Sequence, residues 1–380
     1  MSKSLSGLLA KIVLIGASVA GAQLANADAP KHIFYIMMEN HAYSEIIGNT
    51  ADAPFINKLA AHGNIAMRYY GVTHPSLPNY LAAVSGDFQG IWDDCPAGIT
   101  SLCAPEEFVV GAGDGTDPGY QLLTDTQFAN ASATPHLFSS SNIVDQLEPA
   151  GLSWKVYEEN LPAAGDFTTV TAPTINGVNT QQYAQKHNPF DYFTDIVTNP
   201  DRLAKIVPYE DPDHGFLADL KKRHFPNFTF IVPAQCHDMH GVSPTRAAAL
   251  GIPSCGYPAS GLDHGAIQLG DAWLKDAVDA IQDSWVWKHE KSSIIIVWDE
   301  DDYAGYAGCC GSPKGVNGVT LGGSPVPAIV VNNEGPHGIR LRWPGNHYTM
   351  LGAIETLWRL DCLGATCRPY NRVAMLPLFF

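Results

Sequence analysis

Three unbroken apolar runs constrain this chain more than any other feature: "HIFYIMM" at 32–38, "NFTFIVP" at 227–233 and "SSIIIVW" at 292–298. Each has the length of a strand, and none alternates apolar with polar residues. A strand of that kind must be covered on both faces, because successive side chains point to opposite sides of a sheet. Between the runs lie segments of helical period. "APFINKLAAHG" puts Phe55, Ile56 and Leu59 on one face and ends at Gly63, and "LPNYLAAV", "AIQLGDAWLKDAVDAIQDSW" and "YTMLGAIETLWRL" follow later. Strands alternating with helices predict an α/β fold, a mostly parallel central sheet with helices on both faces. "NIAMRYYGV", "SWKVYEEN" and "PVPAIVV" read as further strands, "NIVDQLEPAG" and "GFLADLKKR" as shorter helices. Residues 87–141 and 160–200 lack either period and read as irregular insertions in a single domain spanning 28–380.

The first 27 residues read as an export signal. Lys3 and Lys11 supply positive charge, "IVLIGASVAGAQLA" is apolar, and "ANA" offers small residues for cleavage. The apolar part is too short and too rich in Ala and Gly to span a bilayer. The expectation is an exported protein, periplasmic or secreted, with no stable membrane anchor. A formal net charge of −16 argues against nucleic acid or an anionic membrane as partner, since both are met by basic surfaces. It leaves room for a small phosphorylated substrate, which feels only the local field of its site. An even number of cysteines in an exported chain points to disulfides. Cys95–Cys103 and Cys362–Cys367 read as local loop staples. Cys236, Cys255, Cys309 and Cys310 then pair among themselves in an order the spacing leaves open, and no pair of CxxC knuckles favours zinc instead.

The polar residues collect where such a sheet places its ligands, beyond the carboxyl ends of the strands. The first strand runs into Glu39-Asn40, the second leads to Ser76, a third ends in "CHDMH" (236–240) and a fourth in Asp299-Glu300, while His347 opens the last helix. Ser76 stands between Pro75 and Pro78 at the mouth of a helix. It is there either as a cap for an orphaned amide or as a nucleophile at a helix terminus that favours anions. Glu39, Asn40, Asp299 and Glu300 are hard oxygen donors. With the Ser76 oxygen they suit one divalent cation, which would lower the pKa of that hydroxyl. Asn79, one turn into the helix, is a donor to the same substrate oxygens. Asp238, His240 and His347 form a nitrogen-richer group, either a second metal site or phosphate donors and a proton source for the leaving group.

The ordered set "MMENHAYSEIIG", "HPSLPNYLAAVSG", "CHDMHG", "IIVWDE" and "NHYTMLGAIETLW" resembles the bacterial and fungal phosphoesterase family, which contains acid phosphatases and phosphatidylcholine-type phospholipases C on the alkaline-phosphatase-like fold. The resemblance implies Glu39, Asn40, Ser76, Asp299 and Glu300 as metal ligands, with Ser76 also the nucleophile. It implies Asn79 and His240 as phosphate contacts, joined by His347, with His264 in "LDHGAIQ" a rival to His240. The chain departs from the family pattern at His41-Ala42-Tyr43-Ser44 and in "DEDDYAGYAGCCG", where Asp301 and Asp302 add negative charge. The expected activity is metal-dependent hydrolysis of a small phosphomonoester through a phosphoserine at Ser76, with Mg, Mn, Ca or Zn as the cation. A phospholipase C or other phosphodiesterase is the alternative within the class, and a non-catalytic phosphate-ligand binding protein the alternative outside it. Oligomeric state is left open.

Overall fold

A computed structural model of the chain describes residues 29–100, 102–103, 122–302 and 305–380. The export-signal expectation at 1–27 and the middle of the 87–141 stretch lie outside the described residues.

Thirteen strands are found among the described residues: β1 His32–Met38, β2 Asn64–Ala66, β3 Tyr69–Tyr70, β4 Trp154–Glu158, β5 Thr171–Ile175, β6 Val178–Ala184, β7 Ile206–Pro208, β8 Phe228–Val232, β9 Ser292–Trp298, β10 Pro325–Val326, β11 Ala328–Asn332, β12 Arg340–Leu341 and β13 Gly345–Asn346. Eight of them form the main sheet, in the order β12-β2-β11-β9-β1-β8-β4-β7. The run β9-β1-β8-β4-β7 is parallel throughout. β11 reverses direction against both β9 and β2. The sheet is therefore mostly parallel, as the apolar runs predict. Every residue of β1 and of β9 is buried, so both faces at the centre of the sheet are covered. The helices that matter here are α1 Pro54–His62, α2 Ser76–Ser85, α3 His264–Asp283 and α4 His347–Trp358, with α1 packed on α3 and α2 on α4.

Two expected strands are each split. "NIAMRYYGV" turns at Met67-Arg68, so β2 stays in the main sheet while β3 joins a small sheet of order β10-β3-β13. "PVPAIVV" divides into β10 and β11 at Pro327, which lacks the N–H a continuing ladder needs. Within the stretch expected to be irregular at 160–200, β5 and β6 form an antiparallel hairpin. Two short 3₁₀ turns, Gln185–His187 and Pro189–Tyr192, follow it. The four disulfides are Cys95–Cys103, Cys236–Cys255, Cys309–Cys310 and Cys362–Cys367, which supplies the pairing the spacing left open. No helix among the described residues is long and apolar enough to cross a membrane.

Candidate active site

The parallel register brings three acid-bearing strand ends together. Met38 pairs with Trp298, so Glu39 and Asp299 leave adjacent strands side by side. The Asp299 amide donates to the Met38 carbonyl (3.0 Å) and the Glu39 amide to the Asp238 carbonyl (2.8 Å), which locks the ends of β1, β9 and the segment after β8 to one another. Asn40 has a left-handed φ of 37°, a conformation asparagine tolerates better than most residues, and its amide donates to Asp299 Oδ1 at 3.1 Å.

Ser76 closes this group. The helix cap is Pro75, and Ser76 makes no capping bond. Its hydroxyl instead donates to Glu39 Oε2 at 3.0 Å, with Asn40 Oδ1 and Glu300 Oε1 each 3.5 Å away. The cap reading of Ser76 is thus absent from the structure. The Leu77 amide, which a cap would satisfy, donates to Asp94 Oδ1 at 3.0 Å. Ser76, Glu39, Asp299 and Glu300 are all almost completely inaccessible.

Burying so many carboxyls together is costly unless something offsets the charge. Burial lifts the Glu39 carboxyl well above its ordinary range, and neighbouring Asp299 lifts it further. Burial does the same to Asp299, reinforced by Glu300, and to Asp238, reinforced by Glu39. Three of their oxygens, Glu39 Oε1, Asp238 Oδ2 and Asp299 Oδ2, have no hydrogen-bond partner. Such unpartnered buried carboxylate oxygens fit a divalent cation, and Glu39, Asn40, Ser76, Asp299 and Glu300 are the residues that would hold it. A hard oxygen set of this kind suits Mg, Mn or Ca, and a nearby histidine widens it toward Zn. Glu39, His187 and His240 also offer ligand atoms within 4.8 Å of one another.

The second group is brought only partly to the same place. Asp238 Oδ1 accepts from the His240 amide at 2.7 Å. His240 Nδ1 faces the Gly241 carbonyl at 3.0 Å, so that nitrogen carries the proton and Nε2 is left as an acceptor toward the site. Burial, then the Lys186 charge, pull the imidazole down to about 3. His264 is not a rival here: its side chain is 66% exposed and pairs with Asp52 at 2.6 Å. His347 is fully buried but turned away from open space. Its Nε2 lies 2.7 Å from the Asp299 carbonyl and its Nδ1 3.2 Å from the Tyr69 hydroxyl, so both nitrogens hold protein groups rather than facing a phosphate. Asn79 is likewise committed. Its oxygen accepts from the Val72 and Thr73 amides at 2.7 and 3.2 Å, and its amide donates to the Thr73 and Pro75 carbonyls at 2.7 and 2.9 Å. It shapes the turn that presents Ser76, and reaches Glu300 Oε2 only at 3.4 Å.

Sequence reasoning missed His74, Asp94, Lys186 and His187 in this neighbourhood. His74 Nδ1 sits 2.6 Å from Glu300 Oε2. His187 stacks on Tyr80 and approaches Glu39 Oε1 at 3.2 Å and Asp238 Oδ2 at 3.3 Å. Lys186 pairs with Asp94 at 2.8 Å. The signal available was "KHNPF", a cation and an imidazole side by side ahead of Asn-Pro inside an aperiodic stretch. His240 and Tyr257 stand between two cavities. One, of about 320 Å³, holds Lys186, Asp94, Thr171, Gln181, Gln185 and Gln235 in its walls. The other, of about 470 Å³, is lined by Asn40 and by the acids Glu45, Asp263 and Asp302.

Comparison with known proteins gives this geometry a family. The chain is 27% identical over 338 residues to the "Probable acid phosphatase" of Kluyveromyces lactis, covering 88% of this chain and 59% of that protein. It therefore spans less than two thirds of that relative's own length. It is 28% identical over 340 residues to the phosphatidylinositol-3-phosphatase of Mycobacterium tuberculosis, covering 88% of this chain and 78% of that one. Among solved structures, a protein of the alkaline phosphatase superfamily from Vibrio parahaemolyticus aligns over 89% of this chain and 68% of that chain, with 15% identity and a TM-score of 0.47. The phosphoesterase family model matches residues 49–253, the stretch that runs from before Ser76 to beyond His240. This chain belongs to the phosphoesterase family.

Proposed function

We propose that the protein is an exported, metal-dependent phosphoric ester hydrolase that cleaves small phosphomonoesters through a phosphoserine at Ser76. The observation that carries the reading is the Ser76 hydroxyl, buried and 3.0 Å from Glu39 at the junction of three acid-bearing strand ends, where it caps nothing. The names of the relatives support phosphoric ester hydrolysis as the reaction class.

A bound cation would lower the pKa of the Ser76 hydroxyl and offset charge on the phosphoryl oxygens. As Ser76 Oγ forms the new bond to phosphorus and the bond to the alcohol oxygen breaks, the hydroxyl proton passes by way of Glu39 Oε2, its hydrogen-bond acceptor at 3.0 Å, to solvent. The alcohol leaves with the electron pair and takes a proton from water in the open cavity. In the second half a water oxygen bonds to phosphorus and Ser76 Oγ departs. His240 Nε2, bare because Nδ1 holds the proton toward Gly241, accepts a hydrogen bond from that water and orients it, while the water's proton passes to the departing Ser76 Oγ. His347 keeps the Asp299 carbonyl in place, and Asn79 keeps the turn before Ser76; both are positioning residues in this scheme.

The test is hydrolysis of p-nitrophenyl phosphate by the purified protein, with chelation, metal add-back and Ser76→Ala. Loss on chelation, recovery on add-back and loss in Ser76→Ala support the reading. Unchanged hydrolysis in Ser76→Ala removes the nucleophile.

A further inference from the structure

Lys186 has no part in the scheme above, yet its ammonium lies at the reaction centre. It reaches there from the 3₁₀ turn after the β5–β6 hairpin, with its side chain 19% exposed. Lysine carries three N–H donors. Asp94 Oδ2 takes one at 2.8 Å. The other near atoms are Ser76 Oγ at 3.5 Å and His240 Nε2 at 3.4 Å, both beyond the 2.7–3.2 Å, roughly, of a good N–H···O bond. Two donors are therefore aimed at the space around the Ser76 oxygen and only weakly used there. A phosphoryl group on that oxygen would bring its non-bridging oxygens within reach of a donor 3.5 Å away. The bland alternative is that Lys186 only neutralises Asp94, whose other oxygen holds the first free amide of α2.

The two cavities differ in charge in a way that favours the first view. Among the described residues, Lys186 is the only lysine or arginine in the walls of either one. On its side the remaining polar groups are largely neutral, Thr171, Gln181, Gln185 and Gln235, whereas the far side presents Glu45, Asp263 and Asp302. Asp94, 2.8 Å from Lys186, offsets its charge, so this wall is close to neutral while the far wall is acidic, and an anion approaching the buried acids is opposed least from the Lys186 side.

We infer that Lys186 is a phosphate-binding catalytic residue, and that its fixed charge makes the site select the dianion of a phosphomonoester over the monoanion of a diester. This rests on the reading of Ser76 as the phosphoryl acceptor. The second charge of the monoester lies on a terminal oxygen, the group that a diester replaces with an uncharged ester arm. A cation beside that oxygen rewards the monoester and gains far less from the diester.

The experiment compares kcat/KM for p-nitrophenyl phosphate and bis-p-nitrophenyl phosphate at pH 7 in wild type, Lys186→Gln and Lys186→Arg. The expected result is a loss of about 10²-fold or more on the monoester in Lys186→Gln, the scale of removing one preorganised donor from a developing oxyanion, with a loss under about tenfold on the diester. Lys186→Arg keeps the charge and holds the monoester preference within roughly threefold of wild type. Equal losses on both substrates, or an unchanged preference in Lys186→Gln, would overturn the inference and leave Lys186 as the partner of Asp94. If Lys186→Gln does not fold, Lys186→Arg carries the test, since a collapse of preference with the charge retained contradicts it equally. Calorimetric titration of inorganic phosphate into Ser76→Ala, with and without Lys186→Gln, separates the two claims. Weaker phosphate binding on loss of Lys186 supports this inference even if Ser76→Ala were to keep its activity. Unaltered binding sinks it whatever Ser76 does.

Discussion

Glu39 shows how tightly the site is balanced at the scale of one residue. Its Oε2 accepts from Ser76 and its Oε1 makes no hydrogen bond, with the His187 ring 3.2 Å away, in a place where burial and Asp299 both oppose its ionisation. Glu39→Gln removes one buried negative charge and keeps the shape. The expected outcome is a metal-free protein with a higher Tm than wild type at pH 8, paired with a loss of at least about 10²-fold in phosphate-ester turnover. Thermal melts and p-nitrophenyl phosphate kinetics on the same preparation check both halves. His347→Ala should lower turnover through a displaced Asp299 and so also weaken the rise of Tm on adding metal, which a direct phosphate contact would leave intact. At this scale the sequence was most informative where polar residues directly follow apolar strands, as Glu39, Asn40, Asp238, Asp299 and Glu300 do. It was least informative at Lys186 and His187. They reach the site from an aperiodic stretch, and nothing local in "KHNPF" says which way the turn returns.

At the scale of elements, α2 and α4 meet beside the site, and α4 carries a buried acid of its own. Glu355 accepts from the Leu363 amide at 3.0 Å and from Gln146 Nε2 at 3.3 Å, and burial pushes its carboxyl up to about 7. A carboxyl whose folded pKa is raised favours folding while protonated. Its contribution is full below about 4.5, the ordinary value, and is lost as pH rises through about 7. Glu355→Gln should therefore raise Tm at pH 8, by a few degrees, and leave it nearly unchanged at pH 5; melts across that window test the sign. Glu148 acts in the opposite sense. Burial alone would raise it, but Trp154, Lys205 and Arg202 hold it down to about 2, so its share of stability persists above about 4.5 and fades only as pH falls below that. Most elements were legible because periodicity is a local property. The two broken strands were not, since where a chain leaves one sheet for another depends on partners such as β13 that lie far away in sequence. Pro327 was a usable local warning.

Across the whole molecule, a chain of net charge −16 gathers Glu39, Asp238, Asp299 and Glu300, all buried, at the carboxyl ends of its central strands, with Lys186 beside them. On the proposed reading, metal occupancy would be a matter of folding as well as of catalysis. A divalent cation at a hundredfold excess over its Kd should stabilise the protein by about 2.7 kcal/mol, and the effect should vanish in Glu39→Gln. Melts with Mg, Mn, Ca and Zn, each against chelator, would also rank the metals. The general architecture was legible at this scale because both-faced burial admits few solutions. The inner faces of the site were not, because they depend on how an insertion folds back.

The central claim is that Ser76 takes the phosphoryl group. The most direct test is an acid quench of the metal-loaded protein during turnover of p-nitrophenyl phosphate, followed by peptide mass spectrometry. The account predicts a phosphoryl adduct on the peptide carrying Ser76, formed within one turnover and absent in Ser76→Ala. Full turnover with no adduct on that peptide, or an adduct on another residue, would contradict it.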